Sequence, residues 1–231
     1  MVTAIILAGG KGERMGTAGA DKCFLSLGSK PVVAWSLLAF ETCADVDQII
    51  LVTRREQLNS ARMLITLFGL SKLVKIVSGG TRRQDSVQAG LQAMDPDTRI
   101  VVVHDGARPC VRADLISRTI ATVKKFGSGV AAAKLVDTIK VAEKGMLATK
   151  TLDRDTLWAV QTPQAFKSTD LIKAYKKVES KKATVTDDAG AFEFINEPVH
   201  IVEAIEPNIK ITRAADLGIA AAILQLTPDV N

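Results

Sequence analysis

Short apolar runs recur along this chain, each followed by a longer segment of helical period, and that alternation limits the fold more than any other feature. A run such as "TAIILA" has no polar face, so as a strand it must be covered on both sides. "DQIILVT", "KLVKIVS", "TRIVVVHD" and "GSGVAAAKLV" repeat the pattern. Between them, "KPVVAWSLLAFETC" reads as a helix with Pro31 near its first turn, and "REQLNSARMLITLF" as one ending at Gly69 in the C′ position. "TRRQDSVQAGLQAM" predicts a helix capped by Thr81, and "RADLISRTIATVKKF" another. Strands alternating with helices in this way imply an α/β architecture, a mostly parallel central sheet with helices on both faces.

Residues 137–158, "DTIKVAEKGMLATKTLDRDTLW", break the rhythm. They hold little core and carry a turn signal at Glu143-Lys144-Gly145, which predicts a protruding β-arm. Beyond it the pattern predicts helices near 169–179 and 186–195, strands at "VHIVEA" and "NIKIT", and a closing helix over 213–226. Neither an internal repeat nor an interdomain linker interrupts the 231 residues, so the expectation is one domain over 1–231 with an arm at about 137–158.

Composition excludes several classes. No apolar run reaches membrane-spanning length, and the opening "MVTAIILAGG" lacks the basic n-region of a signal peptide, so no membrane partner is expected. Three scattered cysteines without a CxxC, and two histidines, argue against a zinc site or a disulfide framework and for a reducing compartment. With 4% aromatic residues, a net charge of +5 and no basic run interleaved with aromatics, nucleic acid is not an expected partner.

The glycine cluster after the first strand, "ILAGGKGERMG", is the first chemical signal. A P-loop would need Ser or Thr at Gly12 and glycine at Ile5. A dinucleotide fingerprint would need glycine at Met15 and an acid where the second strand ends in Thr53-Arg54. An NADP-dependent oxidoreductase using Arg54 on the extra phosphate stays open as a weak alternative. The remaining reading is a nucleotidyltransferase loop: backbone N–H groups of Gly9 to Gly12 wrap a triphosphate, and Arg14 and Lys22 reach the same anion. The plain alternative is a tight turn with two surface cations.

The second signal is "VVVHDGARP". An aspartate at the carboxyl end of a central strand faces the crevice where open α/β sheets bind ligands. Asp105 is therefore a candidate Mg²⁺ ligand, and Arg108 a candidate contact for a second anion. His104 is read as structural. Neither histidine supports a Ser-His-Asp arrangement.

With "AGGKGERMG", "GGTRRQDSV", "HDGARP", "DTIK", "LDR", "QTPQAF", "TDDA" and "NIKIT" in this order, nearly the whole chain resembles the 2-C-methyl-D-erythritol 4-phosphate cytidylyltransferases of the non-mevalonate isoprenoid pathway. The resemblance implies a Rossmann-like sheet, CTP and the polyol phosphate as substrates, Mg²⁺ as cofactor, and a homodimer whose arms reach into the partner's site. It also implies a cytoplasmic enzyme, or one of the plastid stroma after transit-peptide removal. Ala8, Gly9, Gly10, Gly12, Gly80, Thr81 and Ser86 would hold the nucleotide. Arg14, Lys22, Arg154 and Lys210 would be the catalytic cations, and Asp105 the metal ligand. Asp105, Gly106, Arg108, Thr138, Arg154, Thr162 and Lys210 would bind the substrate, Thr138 and Arg154 from across the dimer. The Gly9-Gly10 pair also occurs in the related ribitol 5-phosphate cytidylyltransferases, which keeps that acceptor open as an alternative.

Overall fold

A computed structural model of the chain describes residues 1–10, 21–143 and 146–226. The first strand, β1, spans Val2–Ala8 and is buried along its whole length. A short ribbon, β2 (Ser26–Leu27) with β3 (Lys30–Pro31), leads into α1 (Val32–Thr42). Pro31 precedes the first helical turn, where its fixed φ suits the entry and its missing N–H is not needed. Then follow β4 (Gln48–Thr53), α2 (Leu58–Phe68), β5 (Leu73–Ser78) and α3 (Arg83–Ala93). Gly69 ends α2 at φ 62°, the left-handed C-terminal position expected of it.

The second half contains β6 (Ile100–Asp105), α4 (Ala113–Phe126) and β7 (Ser128–Lys134), then β8 (Ile139–Ala142) and β9 (Ala148–Leu152). It closes with β10 (Trp158–Lys167), α5 (Ser168–Ser180), α6 (Asp188–Phe192), β11 (Ile201–Glu203) and α7 (Ala215–Ile223). Seven strands form one sheet in the order β11-β7-β10-β6-β1-β4-β5. All run parallel except β10, which is antiparallel to both β6 and β7. The expected fold class is the observed one.

The period of two along each strand divides the core. Ala4 and Ile6 of β1, Ile49 and Leu51 of β4, and Val102 of β6 pack with α1, α2 and α4. Their neighbours Ile5, Leu7, Ile50, Val52, Val101 and Val103 pack on the other face with α3, α5 and α6. Each such Val, Leu or Ile side chain, fully buried, favours folding by about 1.5–3 kcal/mol. This is why the central positions of β1, β4 and β6 are apolar on both faces.

Two expectations need correction, and one strand was not foreseen. Thr81 does not cap α3; the helix begins at Arg83, and the Asp85 carboxylate reaches back to accept the Arg82 backbone N–H at 3.0 Å. "NIKIT" is not a strand. Ile211 is buried and its N–H donates to the Ala107 carbonyl at 2.8 Å, so a single backbone bond and packing beside α7 replace a ladder. Conversely "WAVQTPQAFK" is a strand. Its two glutamines and Pro163 hid it, but the pairing with β7 shifts register between Val160 and Gln164, so Pro163 sits where a ladder donor is not required.

The hairpin of β8 and β9 forms its own two-stranded sheet, with Met146 88% exposed at its tip and Val136 exposed ahead of its first strand. Glu143 N–H donates to Leu147 O at 3.0 Å across its tip, while Lys144 and Gly145 of the expected turn lie outside the described residues. Trp158, read as the arm's last residue, already pairs with Lys134 in the main sheet.

Candidate active site

The chain leaves β1 toward β4 on one side and returns as β6 on the other, so β1 and β6 form the switch point of the sheet. Crevices open at the carboxyl ends of such strands. Leu7 of β1 pairs in register with Asp105 of β6, which sets the end of the first strand directly beside the aspartate. An open cleft of about 1010 Å³ lies there, lined by Gly9, Gly10, Lys22, Arg54, Gly80, Thr81, Arg83, Ser86, Asp105 and Lys210. A smaller one of about 430 Å³ shares Arg83, Asp105 and Lys210 and adds Arg108, Gln161, Thr162 and Asp187. Asp105 thus stands where two compartments meet.

Local structure explains each wall. Gly79 is confined: a Cβ there would meet Ser86 Oγ at 2.6 Å. Ser86, on the first turn of α3, accepts the Gly80 N–H at 3.2 Å and holds the turn after β5 against the helix. Lys22 opens a short 3-10 turn capped by Asp21, whose carboxylate accepts the Cys23 N–H at 3.0 Å. Burial, and after it the Asp21 charge, pushes the neighbouring Cys23 thiol up, so this cysteine is a packing residue.

Cations converge on Asp105. Lys210 Nζ lies 2.6 Å from one carboxylate oxygen and Arg83 Nε 3.2 Å from the other. Burial works against charge on Asp105, but Arg83 and Lys210 outweigh it and hold the carboxyl well below the usual range. Arg83 reaches onward to Asp188, 2.7 Å away and fully buried, which also accepts the Tyr175 hydroxyl at 2.6 Å.

A second network shapes the smaller compartment. Thr162 Oγ1 accepts the Asp105 N–H at 3.0 Å and lies 3.1 Å from His104 Nδ1. His104 Nε2 lies 3.3 Å from the Arg108 carbonyl. Burial pushes the His104 pKa down to about 3, so the ring is neutral. Asn208 donates to the Thr162 carbonyl at 2.8 Å and to Gln161 Oε1 at 3.0 Å, and its own carbonyl accepts from Arg108 at 2.7 Å.

Of the residues expected from sequence, Gly9, Gly10, Lys22, Gly80, Thr81, Ser86, Asp105, Arg108, Thr162 and Lys210 all line these clefts. Ala8 and Gly106 lie behind the wall: Ala8 is buried within β1, and Gly106 N–H donates to Leu7 O at 2.8 Å. Gly12 and Arg14 fall outside the described residues. Thr138 and Arg154 are exposed on the hairpin side and are not among the residues lining either cleft of their own chain; Arg154 donates to Val136 O at 2.6 Å. Sequence reasoning missed Arg83, Asp188 and Asn208. Arg82 and Arg83 are adjacent, yet Arg82 turns outward to Asp85 at 2.6 Å while Arg83 turns inward, a choice made by the phase of α3.

Among the described residues no cluster of three metal-binding side chains occurs. Asp105, ionised at the junction of the two clefts, is a donor of the kind Mg²⁺ takes, one or two carboxylates with the rest of its shell from phosphate and water. Its oxygens meet Arg83 and Lys210 in this structure.

A switch-point cleft with glycine backbone on one wall and cations converging on an aspartate defines a nucleotide-handling α/β enzyme. The chain belongs to the 2-C-methyl-D-erythritol 4-phosphate cytidylyltransferase (IspD) family, whose model matches residues 2–226. The enzyme of that name from Lachnospira eligens is 44% identical over 97% of this chain and 100% of its own. That from Pelotomaculum thermopropionicum is 40% identical over 97% and 94%. Among solved structures, 4-diphosphocytidyl-2C-methyl-D-erythritol synthase from Anaerococcus prevotii superposes with a TM-score of 0.85 at 32% identity, covering 97% of this chain and 98% of the other. The Francisella tularensis cytidylyltransferase gives 0.80 at 30% identity, covering 96% and 99%.

Proposed function

We infer that the chain transfers CMP from CTP to 2-C-methyl-D-erythritol 4-phosphate, yielding 4-diphosphocytidyl-2-C-methyl-D-erythritol and pyrophosphate. The observation that carries this reading, in a member of that family, is Lys210 and Arg83 meeting on Asp105 where the two clefts join. The larger cleft suits CTP, with Gly80, Thr81 and Ser86 toward cytidine and the Gly9–Gly10 backbone toward the triphosphate. Ala8, Gly12 and Arg14 complete that loop in the reading. The smaller cleft suits the acceptor, with Arg108 and Thr162 on its side and Gly106 in the turn behind its wall.

An oxygen of the acceptor phosphate forms a bond to the α-phosphorus, and the α–β P–O bond breaks with its electron pair leaving on pyrophosphate. No general base is required, because the attacking phosphate is already ionised. The work is screening repulsion between anions and aligning them. Lys22 and Lys210 supply fixed positive charge, and Arg83 keeps Asp105 ionised between them. Asp105 would hold Mg²⁺, which would supply further positive charge to screen the phosphates. Thr138 and Arg154 serve the acceptor site of a second copy, since their exposed hairpin has apolar surface at Val136 and Met146 to bury in a homodimer. Three free cysteines suit a cytoplasmic setting.

Pyrophosphate release from CTP with Mg²⁺ tests the reading, run with 2-C-methyl-D-erythritol 4-phosphate and, in parallel, with ribitol 5-phosphate. Release with the first alone is expected. Release with the second alone would move the enzyme to the other polyol phosphate. Mixed Arg154→Ala and Lys22→Ala subunits should regain activity that neither has alone; no recovery after proven exchange would defeat the shared site.

A further inference from the structure

His104 takes no part in the chemistry above, yet it is fully buried beside Asp105 and both ring nitrogens are engaged. Nε2 faces the Arg108 carbonyl oxygen at 3.3 Å, and a carbonyl only accepts, so Nε2 carries a proton. A second ring proton would bury a charge with no carboxylate bonded to either nitrogen, against the Phe40 ring at 5.1 Å. The imidazole therefore has one proton, Nδ1 is bare, and it takes the Thr162 O–H at 3.1 Å. Thr162 Oγ1 already accepts the Asp105 N–H at 3.0 Å. Its only proton is committed inward, and what remains on the oxygen is lone pair.

We propose that His104 is a positioning residue that makes the Thr162 hydroxyl an acceptor only and, through the Arg108 carbonyl, fixes the backbone from which the Arg108 side chain projects. Thr162 then cannot donate to a phosphate oxygen; it can receive a hydrogen bond from a hydroxyl. Asn208 holds the same corner from the opposite side, through the Thr162 carbonyl and Arg108 Nη1. The smaller cleft is thereby divided into a hydroxyl-reading edge at Thr162 and an anion-reading edge at Arg108. This assignment rests on the acceptor binding there, as proposed above.

The test uses the full chain with KM measured separately for CTP and for the acceptor. His104→Phe keeps the ring volume and loses both hydrogen bonds; Thr162→Val removes only the hydroxyl. Each should raise the acceptor KM about tenfold, the equivalent of one lost hydrogen bond, and leave the CTP KM within about twofold. His104→Asn, whose amide oxygen can occupy the Nδ1 position, should restore most of the loss. The double variant should be no worse than His104→Phe alone, because the Thr162 hydroxyl is read through the His104 contact and the loss at the Arg108 carbonyl is already present in that single variant. Equal rises in both KM values, or multiplying effects in the double variant, would overturn the proposal. If His104→Phe does not fold, ¹⁵N imidazole spectra of the wild type at neutral pH decide: with two histidines in the chain, a protonated Nδ1 on His104 defeats it. That readout is independent of turnover, so failure of the function reading and failure of this one are separable.

Discussion

Asp188→Asn removes the charge at the buried end of the network behind the active site. Asp188 is fully buried, 2.7 Å from Arg83 Nη2 and 2.6 Å from the Tyr175 hydroxyl. Breaking one member of a buried ion pair costs about 3–5 kcal/mol, because the other charge is stranded. Arg83 would not be wholly stranded, since Asp105 stays at 3.2 Å and its own side chain keeps 23% exposure. The expected loss is therefore about 2–4 kcal/mol, allowing for that remaining partner. At about 3 °C per kcal/mol for a chain of this size, the melting temperature should fall by about 6–12 °C. Circular dichroism melts and urea denaturation at neutral pH measure it. Tyr175→Phe, which removes one donor to the same carboxylate, should cost about 1.5–3 kcal/mol. A loss under about 1 kcal/mol for Asp188→Asn would refute the reasoning and show that Asp105 alone balances Arg83.

Lys210→Ala should lower kcat by about 10²–10³-fold with the fold retained, as for other lost charge-stabilising donors; steady-state pyrophosphate release checks it. Gly79→Ala brings a Cβ to within 2.6 Å of Ser86 Oγ and 3.1 Å of Val52, so it should cost about 1–3 kcal/mol and raise the CTP KM, read by denaturation and kinetics. Because Arg83 and Lys210 hold the Asp105 carboxyl below its unfolded value of about 3.9, its contribution to stability is complete above that pH and is lost as pH falls below it. Urea denaturation should accordingly show a shallower acid decline for Asp105→Asn than for the wild type between pH 5 and 3. Parallel curves would place the acid sensitivity elsewhere.

Particular elements show how far the chain could be read beforehand. β1, β4 and β6 were legible because both their faces are buried, which makes nearly every position apolar, with Thr3, Thr53 and His104 among the buried exceptions. β10 was not, since its glutamines turn toward partners contributed by distant residues: Gln164 Oε1 accepts the Asp188 and Ala189 N–H groups. "NIKIT" has a strand's alternation but packs beside α7, and none of the described strands pairs with it. The glycines, Lys22 and Asp105 were readable as chemistry because they follow apolar strands at the end of the sheet where ligands bind, whereas Lys210 came only from the family resemblance.

By itself the sequence determined the parallel sheet and the position of the glycine turn, because apolar period and turn preference are local properties, and its ordered motifs carried the resemblance that implied the chemistry. Only the tertiary structure decided which arginine of the pair enters the cleft, that Asp105 sits at the meeting of two compartments, and that His104 sets the polarity of Thr162. Each of these depends on contacts between residues far apart in the chain, such as Arg83 with Asp188 and His104 with Thr162. Helical phase and strand register set such contacts, and neither can be summed from neighbouring residues alone.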